Sequence, residues 1–339
     1  MNQDLNLNNK KIFVTGADGF IGSHLVKKLV VLGADVRALC YYNSNGHIGY
    51  LSDVEPAILS NVEIVFGDVR DRSLIQHQIL GYDYIFHLAS LISIPHSYVA
   101  GQSYLDVNVG GLLNILESLK SQSFTRLINT STSEVYGSAL TRPINEGHPL
   151  QGQSPYSASK IAADHFIEAY HRSFEMPLCI LRPFNTYGPR QSIRAVIPTI
   201  ISQLIDPNIE ELKLGDLTPL RDFNYVANTV DAFVAMMFSE GVKYGEAYNA
   251  GSGQSISIKD TLGLIEKSVG KKKPITVDNN KKRPEKSEVL ELIADSSKFN
   301  NATGWTPQVN LEDGLKLTVD WFQKNLAQNG RGASSILFD

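Results

Sequence analysis

The chain has 339 residues, 42% apolar and 19% charged, with a formal net charge of −4, a length that suits about two folding units or one large α/β domain with an appendage. Its near-neutral balance gives no electrostatic reason to expect nucleic acid or an anionic membrane as a partner. The longest apolar runs, such as 25–32 with Lys27 and Lys28 inside it, are too short to span a bilayer, and the polar opening MNQDLNLNNK does not read as a secretory signal, so a cytoplasmic protein is expected.

Along the first half, short β-branched runs alternate with stretches of helical period. Strands are expected at 11–15, 35–40, 62–66, 84–87, 126–130 and 178–181, and helices at 20–32, 104–120 and 156–174. This alternation is the pattern of βαβ units, so the fold class is α/β with a doubly wound parallel sheet over 1–185. From about Arg182, Pro and Gly become frequent and LKLGDLTPLRDFNYV mixes strand and loop character. A smaller mixed α/β lobe is expected from 186–224 and 251–326, with 225–250 returning to the sheet. The polar or Gly/Ser-rich ends, 1–9 and 327–339, are expected to be mobile. Cys40 and Cys179 lie in separate apolar runs and read as buried thiols rather than a disulfide or metal pair; no metal site is expected. Lys271–Lys273 reads as solvent-facing.

The segment KKIFVTGADGFIGSHLVKKL places Gly16, Gly19 and Gly22 between a strand and a helix. That spacing lets backbone approach a pyrophosphate, which the helix N-terminus at Phe20 and Ile21 then binds; a tight turn without ligand is the alternative. The second strand ends RALCYYNSN, with neither an acid for a ribose 2′-hydroxyl nor an Arg at Tyr41 or Tyr42 for a 2′-phosphate. NAD is preferred, with NADP left open. Asp68 and Val69, in GDVRD after the third strand, fall within reach of an adenine. In HLAS, Leu88 and Ala89 lie where a cofactor backbone would pass, and His87 reads as a packed core histidine.

Residues 130–137, TSTSEVYG, put Thr132, Ser133 and Glu134 directly after an apolar strand. The carboxyl ends of parallel strands are where ligands bind, although a hydroxyl-rich loop capping a helix is also compatible. SPYSASKIAADHF carries Tyr156 and Lys160 four apart, on one helix face. An ammonium beside a phenol lowers the phenol toward neutrality, as a general base for a sugar hydroxyl requires, and Lys160 could also hold a nicotinamide ribose. Such a pair alone also fits a structural helix face.

Together, Gly16/Gly19/Gly22, TSTSEVYG, Tyr156-x-x-x-Lys160 and RPFNTYGPR (182–190) resemble the extended short-chain dehydrogenase/reductases that act on nucleotide sugars. The similarity runs over nearly the whole chain, through RDFNYV (221–226), NAGSG (249–253) and RPEKSEV (283–289). Within that family, YYNSN, HPLQGQSPYSASK and RPFNTYGPRQSIRAVIPTII are most similar to 4,6-dehydratases of the legionaminic-acid type, which act on UDP- or GDP-linked N-acetylglucosamine.

The resemblance implies a Rossmann sheet with a substrate-binding lobe and a tightly held NAD regenerated each turnover. It makes Tyr156 the acceptor of the C-4 hydroxyl proton, with Thr132 on the same oxygen, and Glu134 the base for the C-5 proton before water is lost across C-5 and C-6. Ser133 stands where dTDP-glucose dehydratases carry an Asp that protonates the leaving hydroxyl. Glu134 would then be both base and acid, as the GDP-mannose dehydratases suggest, and dTDP-glucose is disfavoured. Asn185 would contact the sugar diphosphate, and Arg190, Arg221 and Arg283 are candidates for a pyrophosphate clamp, Arg283 also being readable as part of a solvated KKR run. Asn228 replaces a usual Asp, and neither it nor Asp231 is given a catalytic role. A homodimer through helices 104–120 and 156–174 is implied. UDP-glucuronate decarboxylases share Thr-Ser-Glu but follow the Lys with Arg, where this chain has Ile161. 4-Epimerases do not need Glu134, and non-catalytic dinucleotide-binding regulators usually lose the Tyr or the Lys.

Overall fold

The computed structural model describes residues 5–278, 284, 287 and 289–329. Seven strands form the central sheet: β1 (Lys11–Thr15), β2 (Asp35–Tyr41), β3 (Val62–Gly67), β4 (Tyr84–His87), β5 (Arg126–Thr130), β6 (Leu178–Pro183) and β7 (Ala247–Ala250). Their order is β3-β2-β1-β4-β5-β6-β7, every pairing parallel. Chain direction across the sheet reverses between β1 and β4, which opens a crevice at their carboxyl ends.

Strand periodicity explains the two covered faces. Ile12 and Val14 point to one side, with Leu25, Val26 and Leu29 of helix α1 (Phe20–Val31), while Phe13 points to the other. There it meets Ile75 of α2 (Arg72–Gln78), Leu112, Ile115 and Leu116 of α3 (Gly111–Leu119), and Ala163 and Ile167 of α4 (Pro155–Phe174). Because both faces are covered, β6 reads as an unbroken buried run rather than an alternating one. After α5 (Val196–Ile205), helix α6 (Val226–Phe238) returns to the sheet beside α1, and Lys28 pairs with Asp231 between them at 2.9 Å.

The expected helix at 104–120 is instead a continuous helical rod from Gly101, with a π segment at Leu105–Gly110 that leads into α3. Asn108 in that wide turn uses its amide three ways: it accepts from Leu91 N at 2.8 Å and donates to Leu91 O at 3.0 Å and to Ser159 Oγ at 2.9 Å. The loop after β4 is thereby fixed to α4.

Residues 186–292 contribute three small sheets, pairing Thr186–Tyr187 with Asn224–Tyr225, Leu220–Arg221 with both Ile256–Ser257 and Glu291–Leu292, and Leu212–Leu214 with Ile275–Val277. Helices α7 (Ile258–Val269) and α8 (Leu311–Asn329) pack on α5 and on each other. One apolar cluster joins Val14 and Phe86 of the sheet to Leu204, Leu262, Trp305 and Leu315, so the smaller lobe shares a core with the larger.

Two local expectations need correction. Lys273 is not simply solvent-facing: its ammonium donates to the carbonyls of Gln203 and Asp206, both at 2.6 Å, where the helix dipole favours a cation at the end of α5. Residues 327–329 belong to α8 rather than to a tail. Cys40 and Cys179 are both buried free thiols, each pushed up to about 12 by burial. No described helix is long and apolar enough to cross a membrane.

Candidate active site

A cleft of about 810 Å³ opens at the carboxyl ends of β1, β4 and β5. On one side lies the glycine turn. Gly16 has φ +65°, and a Cβ there would sit 2.6 Å from Ala89 N; a Cβ on Gly22 would fall 2.1 Å from Gly16 O. Only glycine lets the turn, the loop after β4 and the first turn of α1 approach so closely. Gly19, Phe20, Ile21, Leu88 and Ala89 all line the cleft, as do Asp68 and Val69 after β3. The arrangement fits a dinucleotide: helix N–H groups and the positive end of α1 face a wall kept free of side chains.

Residues 88 and 89 are held from behind. Thr15 Oγ1 accepts from Leu88 N and Ala89 N, both at 3.2 Å, and lies 2.8 Å from His87 Nδ1. With its acceptor capacity used by two amides, the hydroxyl donates to Nδ1, and the imidazole proton is assigned to Nε2. Burial, with Lys160 nearby, pulls His87 down to about 3, so it is neutral in the native state; His24, buried against Pro189 O, is pulled down to about 4. The unfolded chain binds these protons below pH 6.5 and the folded chain does not, so stability falls as pH falls from 6.5 toward 3. His87→Asn is expected to lessen the loss between pH 7 and pH 5 by about 2 kcal/mol, measured by urea unfolding at both values.

The other side of the cleft is built by β5 and α4. Beyond β5 the chain enters a 3₁₀ turn, Ser133–Tyr136, capped by Thr132 Oγ1 accepting from Glu134 N at 3.2 Å. Helix α4 starts in a reciprocal box: Ser154 Oγ accepts from Ser157 N at 3.1 Å, Ser157 Oγ accepts from Ser154 N at 2.9 Å, and Pro155 holds the first turn. Tyr156, Lys160 and Asp164 then recur every four residues and meet three successive residues of the strand end. Lys160 Nζ donates to Thr130 O at 2.9 Å, Ser131 Oγ donates to Asp164 Oδ2 at 2.9 Å, and the Thr132 hydroxyl lies beside the Tyr156 phenol. Thr132, Ser133, Glu134, Tyr156 and Lys160 all line the cleft.

The electrostatics depart from expectation. Lys160 binds Ser90 Oγ and Thr130 O rather than the phenol. Burial pulls its ammonium down to about 8, against the upward pull of Asp164. The Tyr156 phenol is raised, not lowered: burial and Glu134 push it up, and the Thr132 hydrogen bond only partly offsets this. Both groups are desolvated without a compensating charge between them.

Behind this face runs a buried polar chain. Asp164 Oδ2 also accepts from Arg182 Nε and pairs with Nη2, both at 3.0 Å; Arg182 Nη1 donates to Tyr136 OH at 2.9 Å, and that hydroxyl donates to Asn249 Oδ1 at 2.6 Å.

The expected substrate residues are not gathered together. Asn185 lines the cleft, its amide donating to Asp222 O at 3.3 Å. Arg190 is buried at φ +68° and turned away from the cleft: it donates to Asp53 O at 3.0 Å and Ser23 Oγ at 3.3 Å. In this arrangement it ties the loop after β6 to α1 rather than clamping a pyrophosphate. Arg221 is buried in its short strand, donating to Leu220 O at 3.0 Å, and does not line the cleft; Arg283 lies outside the described residues. Asn228 is a structural tie, accepting from Gln308 N and Val309 N at 2.9 and 3.0 Å. Sequence reading missed Asp18, Tyr50 and His96, which line the cleft, and the Asp164–Arg182 pair; the Lys160-to-Asp164 spacing was the available signal for the last.

Comparison with known proteins gives the frame for this geometry. Residues 13–318 match the family model described as GDP-mannose 4,6 dehydratase. The chain is 30% identical to the mouse (Mus musculus) dTDP-D-glucose 4,6-dehydratase over 97% of its own length and 92% of that protein's. It is 31% identical to the dTDP-glucose 4,6-dehydratase of an Actinoplanes species, over 93% and 98%. Among solved structures, a dTDP-glucose 4,6-dehydratase from Streptomyces venezuelae with NAD bound superposes with TM-score 0.83 at 29% identity, covering 94% of this chain and 98% of that one. A UDP-glucuronic acid 4-epimerase mutant from Bacillus cereus, also with NAD, superposes with TM-score 0.85 at 28% identity, covering 93% and 99%. With a seven-stranded parallel sheet, a glycine turn at its switch point and a Tyr/Lys helix against the same cleft, the chain belongs to the GDP-mannose 4,6 dehydratase family, among the nucleotide-sugar dehydratases and epimerases of the extended short-chain dehydrogenase/reductases.

Proposed function

We propose that the protein is an NAD-dependent 4,6-dehydratase of a UDP- or GDP-linked N-acetylglucosamine, forming the 4-keto-6-deoxy sugar. The observation that carries this reading is that a glycine-lined dinucleotide wall, the Tyr156/Lys160 pair and the Glu134 carboxylate share one cleft. The glycine turn and Lys160 would hold NAD, which when bound would supply the acceptor for the C-4 hydride and its return to C-6. Tyr156 takes the proton of the C-4 hydroxyl and Thr132, beside that phenol in the same cleft, orients the same oxygen. The resulting ketone acidifies the C-5 proton, which Glu134 removes. Ser133 is no acid at neutral pH, so Glu134 returns that proton to the departing C-6 hydroxyl, which leaves as water, and C-5 takes a proton from solvent as the hydride returns to C-6. Substrate recognition is proposed for the lobe built from 186–224 and 251–326, and the assembly as a cytoplasmic homodimer through the helical segments 104–120 and 156–174; a monomer by light scattering would overturn the dimer.

The high structural similarity to an epimerase supports a second reading, 4-epimerisation, in which Glu134 is idle. One experiment separates them: purified protein with NAD is offered UDP-GlcNAc, GDP-GlcNAc, dTDP-glucose and UDP-glucuronate separately, and products are resolved from substrate by chromatography and weighed by mass spectrometry. Loss of one water from a GlcNAc nucleotide is expected. An isomer of unchanged mass would establish epimerisation, and loss of CO2 from the glucuronate would establish decarboxylation. Tyr156→Phe is expected to cut turnover at least about a hundredfold while retaining nucleotide-sugar binding.

A further inference from the structure

We propose that Asp18, from within the glycine turn, reads the 2′-hydroxyl of the adenosine ribose and so excludes NADP. The assignment rests on the dinucleotide reading of the cleft. Strand β2, where such an acid usually stands, ends in Cys40 and Tyr41. Asp18 reaches that strand end from the neighbouring turn: its Oδ2 accepts from Tyr41 N at 3.1 Å. It is fixed from the other side as well, since its carbonyl accepts from Tyr50 N at 2.9 Å and Gly49 passes so close that a Cβ there would lie 2.3 Å from that oxygen. The residue lines the cleft beside Tyr41, Gly67 and Asp68, on the β2–β3 side of β1, away from β5 and the reaction side.

A carboxylate so anchored accepts hydrogen bonds only. It suits a ribose hydroxyl, which donates, and opposes a 2′-phosphate, which carries like charge and no proton to offer. Arg70 also lines this end, but its Nε and Nη2 are turned onto Asp68 at 2.6–3.0 Å, so its charge is already matched.

The test is binding, not turnover. NAD and NADP are titrated separately by calorimetry into the full chain freed of bound nucleotide, and into Asp18→Asn and Asp18→Ser. The wild type is expected to favour NAD by about tenfold or more, and both variants to narrow that ratio by about tenfold through weaker NAD binding. Asp18→Asn keeps an acceptor for Tyr41 N, so its thermal midpoint should match the wild type. A wild type that binds both dinucleotides equally, or variants that keep the wild-type ratio, would overturn the assignment. A wild type that binds neither would instead remove the dinucleotide reading, and the assignment with it.

Discussion

Glu134→Gln is expected to lose at least about a hundredfold in product formation while leaving the fold and the dinucleotide wall intact. The side chain is half-buried, its backbone N–H is fastened to Thr132, and it shares the cleft with Tyr156. An isosteric amide cannot take a proton from C-5, so the block falls after C-4 oxidation. Run in D2O, the wild type should deliver product carrying solvent deuterium, whereas substrate recovered from the variant should carry none at C-5. Ser133→Asp added to Glu134→Gln would supply an acid but no base for C-5 and should not restore turnover. Retention of activity within tenfold would show that Glu134 is not the base.

The second large effect lies out of sight of the cleft. Asp164 and Arg182 are fully buried partners, 0% and 2% exposed. Burial pulls the guanidinium down, but Asp164 and Tyr136 pull it up by more, so it is charged. Asp164→Asn leaves that charge without its counter-ion and should destabilise the protein by about 3–5 kcal/mol, whereas Asp164→Asn with Arg182→Met should recover much of the loss, because no buried charge is then left unpaired. Urea unfolding of the two variants decides it; a single variant within about 1 kcal/mol of wild type would show the pair to be dispensable. The same substitution has a catalytic signature. Asp164 holds the Lys160 ammonium up against burial, so without it the ammonium deprotonates at lower pH. Activity that needs charged Lys160 is lost as pH rises through about 8 in the wild type, and at a lower pH in Asp164→Asn.

These two predictions mark where the sequence was and was not enough. The βαβ alternation and the glycine spacing were legible because they are local: strand period, helix period and a turn that excludes side chains are each written within a few residues. So β1, β4 and β5 were placed at their observed limits, and α6 and β7 were assigned back to the sheet. Glu134 and the Tyr156/Lys160 pair each also fit a structural role when taken alone, and were singled out because they occur together behind a glycine-rich turn and a polar strand end.

Tertiary structure alone decided the rest. The family resemblance made Arg190 a candidate anion clamp, yet at a positive φ its side chain donates to Ser23 and Asp53. Asp18 drew no notice in the sequence, because its partner Tyr41 N lies on a neighbouring strand. The pairing of Lys160 with Thr130 and Ser90, rather than with the phenol, depends on where the end of β5 and the loop after β4 pass over α4. Sequence fixes which residues carry charge and which local frame holds them. Their protonation and partners follow from desolvation and from groups that lie far away along the chain, and only the folded arrangement brings those together.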